Sequence, residues 1–153
     1  MHGNSSCRVE ALGLMKNIPE GICLASFDFM GCGKNDQFET ISLGYREAEQ
    51  ADTITKYLKG QGYRVIIWGR SMGAATALLY GKSEFIVADS SFKSFKSLCK
   101  QVAKEHSPAV VPNFMINCFF PCVFSKLKKD VDKRAKYDVE DLDVKEAVKR
   151  LDP

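Results

Sequence analysis

A serine stands between two glycines at Gly69-x-Ser71-x-Gly73, after the β-branched run Tyr63–Trp68 and before the small-residue stretch Ala74–Tyr80. Strand, sharp turn and helix in that order make a nucleophile elbow. Such a turn strains the serine backbone and exposes its hydroxyl. Residues two positions away must be small, because larger side chains collide with the adjoining strand and helix; Gly69 and Gly73 meet that need. The helix begins at the serine, so its free N–H groups and dipole favour negative charge there. The chemistry is attack by the Ser71 hydroxyl on a carbonyl, with the Met72 N–H as one oxyanion donor. Without its context, the five-residue pattern also fits a tight turn of no chemical consequence.

A serine nucleophile needs a histidine beside its hydroxyl and an acid behind the imidazole. Ser71, Asp89 and His106 occur in a workable order. Asp89 follows a strand, Glu84–Ala88, and so sits at the correct sheet edge. His106 stands at the far end of a helix starting near Ser94, about 18 Å off at roughly 1.5 Å per residue. That helix leads away from the strand ends, so His106 is expected to point elsewhere. The competing roles are structural: Asp89 ordering the turn at Asp89-Ser90-Ser91-Phe92, and His106 as a surface residue before Pro108.

The elements that position these groups alternate. Ile22–Phe29 reads as a buried strand ending in a Gly-rich turn, Met30–Asp36. From Ser42, residues Leu43, Ala48, Ala51, Ile54 and Leu58 recur at helical steps with polar residues such as Glu47 between them, with Ser42 or Thr40 as N-cap and Gly60 near the end. Tyr63–Trp68, the elbow, Ala74–Tyr80, the strand 84–88 and an amphipathic helix Phe92–Glu105 follow. Strand–helix alternation predicts an α/β fold with a mainly parallel sheet and flanking helices. Past His106 comes an apolar, Pro-punctuated segment, 108–124, then the charged run Lys126–Lys136 and a short terminal helix.

The chain has 153 residues, 45% hydrophobic and 27% charged, with a net charge of +3, which fits one globular domain. The charge is too mild and too mixed to argue for nucleic acid. No apolar run is long enough to span a membrane and no signal layout opens the chain, so a cytoplasmic protein with reduced thiols is expected. Cys118 and Cys122 are four apart but lack two further ligands, so no metal is expected, and no motif asks for a cofactor. The apolar segment with its following lysines, residues 109–129, suits a cap or core packing, with weak contact to a membrane surface as the alternative.

The chain also carries His2-Gly3-Asn4, the turn Phe27-Asp28-Phe29-Met30-Gly31-Cys32-Gly33, the helix segment Gly44–Asp52 and Asp89-Ser90-Ser91-Phe92, in that order around the elbow. Over roughly residues 2–100 this resembles the α/β-hydrolase superfamily, and within it the serine-aminopeptidase-like and depalmitoylating abhydrolase-domain group. Met30 departs from the arginine usual in the turn, and Asp52 is one position off the helix pattern. The resemblance implies a partial α/β-hydrolase fold: a core over 1–107, a cap over 108–136, and a linker with a helix over 137–153. It makes the Asn4 N–H the second oxyanion donor and gives His2 and Gly3 the task of holding the oxyanion loop. It implies a serine hydrolase acting on ester, thioester or amide bonds of a small-molecule, lipid-acyl or peptide substrate. The family places its acid in a later "HG..D" turn and its histidine beyond that. Neither occurs here, so the expectation is a chain truncated at both ends, without acid and histidine and nearly inactive alone. The alternatives are a binding or regulatory protein without catalysis and a non-functional fragment.

Overall fold

Helix and strand alternate only through the middle of the chain. The computed structural model describes residues 1–35, 40–108 and 112–151. Asp36 of the Gly-rich turn, residues 109–111 of the apolar segment and the last two residues of the tail lie outside the described residues. The elements are a 3-10 helix at Arg8–Asn17, α1 (Glu47–Gly60), β1 (Ile67–Arg70), α2 (Met72–Tyr80), β2 (Ile86–Asp89), α3 (Phe95–Glu105), α4 (Asn113–Ala135), a 3-10 turn at Val139–Asp141 and α5 (Val144–Lys149).

The expected sheet-dominated α/β architecture is not what forms. Helix makes up 53% of the described residues and strand 7%, so they form a mostly helical small domain around a two-stranded parallel sheet. β1 pairs with β2 in the register Ile67 to Ile86 through Arg70 to Asp89. The expected strand Ile22–Phe29 has no ladder partner among the described residues. Of its backbone, only the ends are hydrogen-bonded among the described residues: the Ile22 N–H donates to the Pro19 carbonyl and the Phe29 N–H to the His2 ring. Residues 22–26 are exposed, so apolarity there did not bring burial. Residues 1–3 do run beside β1: the Met1 nitrogen donates to the Trp68 carbonyl, and the Arg70 N–H donates to the Met1 carbonyl.

α2 is the hub. Ala74, Ala75, Thr76 and Ala77 are each fully buried, and their small size lets both strands and α1 approach closely. The helix ends at Gly81, whose φ of 63° is the left-handed conformation a C-terminal glycine supplies. α1 turns Glu47, Ala51 and Thr55 inward at four-residue steps. Glu47 is therefore a core residue rather than one of the exposed polar positions. Its carboxylate accepts from the N–H and hydroxyl of Ser42 and from the Gly44 N–H, so a buried charge is solvated by the loop before its own helix.

α3 begins at Phe95, three residues later than expected, because Ser94 and Ser97 form a reciprocal capping box. The Pro-punctuated segment is helical: α4 runs through Pro121, whose missing N–H does not stop it. Phe120 and Phe124 of α4 stack and pack towards Phe95 of α3. Phe124 packs against the cluster that holds Phe95, Tyr137, Val139 and Leu142.

Candidate active site

Ser71 converts a strand into a helix within one residue. Its N–H continues the ladder by donating to the Asp89 carbonyl at 2.8 Å, and its own carbonyl already accepts from Ala74 and Ala75 at 3.0 Å. Meeting both demands puts Ser71 at φ 51°, ψ −112°. Positive φ is strained for a side-chain-bearing residue, and this ψ lies well away from the ordinary left-handed well. The serine is exposed, and among the described residues no side chain is hydrogen-bonded to its hydroxyl.

The glycines are required by close approach. A Cβ on Gly69 would lie 2.1 Å from the Gly73 carbonyl oxygen, and one on Gly73 would lie 2.4 Å from that of Met1. Gly3 sits against the turn: its Cβ position is 3.6 Å from both the Arg70 carbonyl oxygen and the Ser71 Cβ. The His2–Asn4 loop is thus brought beside Ser71. Among the described residues the N–H groups of Met72, at the start of α2, and of exposed Asn4 have no acceptor.

His2 is buried with both ring nitrogens engaged. Nε2 accepts from the Phe29 N–H at 3.2 Å, which leaves Nδ1 to donate to the Gly3 carbonyl at 2.9 Å. Asp89 touches the serine only through backbone; its carboxylate accepts from the Ser90 hydroxyl. His106 caps the far end of α3 and donates from Nδ1 to Val102 on its own helix. That helix packs on α4. The Ser71–Asp89–His106 order does not become a hydrogen-bonded chain.

Two carboxylates absent from the sequence-based set of site residues brace this region, Glu10 on the His2–Asn4 loop itself and Asp28 on the flanking residues Arg8 and Lys34. Glu10 accepts from the Gly3 N–H at 3.1 Å and from the Arg70 guanidinium at 2.8 Å, so it ties the loop to the residue next to Ser71. Asp28 is buried and accepts from the N–H groups of Arg8 and Lys34 and from the Arg8 guanidinium. The pairs span 60 and 20 residues, separations at which no local spacing signals a contact.

Burial pushes both carboxyls up, but their donors outweigh it. Asp28 ends below its usual range through the Arg8 and Lys34 N–H groups and the Arg8 guanidinium. Glu10 does so through Ser6, Gly3 and Arg70. A lowered folded pKa gives stability that is present above the unfolded value, about 4 for these groups, and is lost as pH falls through the folded one. The loop anchorage should therefore weaken only below about pH 4. Urea unfolding followed by the fluorescence of Trp68, the one tryptophan, should show that acid slope. Asp28→Asn should flatten it, and an unchanged slope in that variant would show that the anchorage is not the source.

A cavity of about 1240 Å³ opens elsewhere, between Leu79, Phe95, Phe124 and Val139, and neither Ser71 nor the His2–Asn4 loop lines it. Among the described residues no cluster of histidine, cysteine, aspartate or glutamate could hold a metal ion, and no helix is long and apolar enough to cross a membrane. No protein-family model, curated protein or solved structure matches the chain.

Proposed function

We propose that this chain carries the nucleophile and oxyanion part of a serine hydrolase site, related through its motifs to the α/β-hydrolase superfamily. The observation that carries the reading is the backbone of Ser71, held at φ 51°, ψ −112° with its hydroxyl exposed at the start of α2. Backbone strain of about 1–3 kcal/mol clusters at functional sites. Positive φ alone does not mark one, since Ser5, Leu43, Ser90 and Lys136 share it. It is the strand-to-helix position of Ser71 beside the His2–Asn4 loop that singles it out. Ser71 Oγ attacks the carbonyl of an ester, thioester or amide in a small-molecule, lipid-acyl or peptide substrate, and the Met72 and Asn4 N–H groups receive the oxyanion. No cofactor takes part.

A second reading, a binding protein that presents this loop without turnover, is favoured by the engagement of both His2 nitrogens in the fold. A fluorophosphonate separates the two, since it needs a single attack on phosphorus and no deacylation. Slow covalent labelling of Ser71, located by peptide mass spectrometry and lost in Ser71→Ala, is the expected result. A chain that stays unlabelled after prolonged exposure, while folded by circular dichroism, would favour the binding protein.

A further inference from the structure

We infer that α4 docks this chain onto an anionic lipid surface. One side of the helix is committed to the fold through Phe120, Phe124, Val131 and Ala135. At 100° per residue the opposite side carries Met115, Cys118, Phe119 and Cys122 in the first half, then Lys126, Lys129 and Lys133. The apolar half is open to solvent: Met115 and Phe119 are 39% and 60% exposed, and Phe114 and Val123 flank the stripe on either side at 71% and 64%. The three lysines are exposed and make no ion pair among the described residues, whereas Lys128, turned inward, pairs with Asp138 and Glu140. Asp130 lies at the margin of the stripe.

Apolar and basic groups thus share one outward face but are separated along the axis. An interfacial helix sinks its apolar side roughly 5–10 Å into the headgroup and acyl boundary while its cations meet phosphates. A lipid surface satisfies both halves together. A second copy does not: parallel pairing sets the lysines against the same lysines, and antiparallel pairing sets them against Met115 and Phe119. Neither offers a counter-charge. With no helix of membrane-spanning character among the described residues, α4 would lie on the bilayer rather than cross it.

The test is flotation of the full chain with vesicles of phosphatidylcholine alone and of phosphatidylcholine with 30 mol% phosphatidylserine. Each lysine at an anionic surface is worth a factor of about five. Lys126→Gln with Lys129→Gln should therefore weaken binding to the anionic vesicles about 25-fold. Phe119→Ser, at an exposed position and with circular dichroism as the check that the fold is kept, should weaken it about 10-fold on loss of its apolar area. Neutralising Lys16 and Lys59, which lie on other elements, should change binding less than twofold. No binding to anionic vesicles, equal binding to both vesicle types, or equal loss with the Lys16 and Lys59 pair would overturn the proposal. A dimer by light scattering that Phe119→Ser dissolves would overturn it too, by showing that a second copy covers the face.

Discussion

Gly69→Ala should destabilise the chain by about 4 kcal/mol, at or beyond the upper end of ordinary overpacking. The added Cβ would stand 2.1 Å from the Gly73 carbonyl oxygen, 2.3 Å from its carbon and 2.6 Å from the Ala74 nitrogen. All three are backbone atoms of the first turn of α2, so no rotamer change relieves the clash. Moving that turn breaks what Ser71 satisfies at once, the ladder bond to Asp89 and the bonds from Ala74 and Ala75. It also displaces the buried alanines by which α2 meets β1, β2 and α1. Gly60→Ala is the internal control. It lies in α1 with nothing within 4 Å of the new Cβ, and alanine there should be neutral or stabilising by roughly 0.5–1 kcal/mol. Urea unfolding followed by circular dichroism compares the two. A Gly69→Ala chain within 1 kcal/mol of the parent would mean that the turn is slack, and with it the strain assigned to Ser71.

The strand–turn–helix at Ser71 was legible because most of its requirement is local. Strand, turn and helix are adjacent in sequence, and Gly69 answers a clash with Gly73, four residues on, whereas Gly73 answers a long-range one with the Met1 and His2 carbonyls. Helices α1, α2, α3 and α5 were legible in kind, and α3 starts later than expected because Ser94 decides the matter; α4 and the 3-10 helix Arg8–Asn17 were not read as helices. The sheet was misread for a physical reason. Ile22–Phe29 and Tyr63–Trp68 are apolar enough for strands buried on both faces, yet a strand exists only where another backbone takes its hydrogen bonds. Among the described residues Ile22–Phe29 has no such partner and β1 has it only over Ile67–Arg70. Even there one face stays open, with Trp68 and Val87 exposed side by side. Pro121 is the converse case, a proline inside a helix. Proline weakens a helix, but Phe120 and Phe124 on either side of it are held by tertiary packing, which outweighs the loss of one bond. Glu10, Asp28 and Glu47 were invisible as anchors because their partners are defined only by the fold.

Hydrolysis of p-nitrophenyl esters by the 153-residue chain should not exceed that of its Ser71→Ala variant. A serine hydroxyl at neutral pH is a poor nucleophile until a base takes its proton. Of the two histidines, His2 spends Nε2 on the Phe29 N–H and Nδ1 on the Gly3 carbonyl. Freeing either nitrogen would loosen the loop that presents Asn4. His106 is bonded within α3, which packs on α4 rather than on the elbow. In serine proteases, loss of the histidine alone costs about a million-fold in turnover, while the oxyanion hole and binding retain about a thousand-fold over water. A single slow phosphonylation is compatible with that residual, but repeated acylation and deacylation at a measurable rate is not. Ester turnover that falls in Ser71→Ala would support Ser71 as the nucleophile and refute the purely structural roles given to His2 and His106. Parallel His2→Ala and His106→Ala variants would then identify the base, because only the true base variant would lose the pH dependence along with the rate.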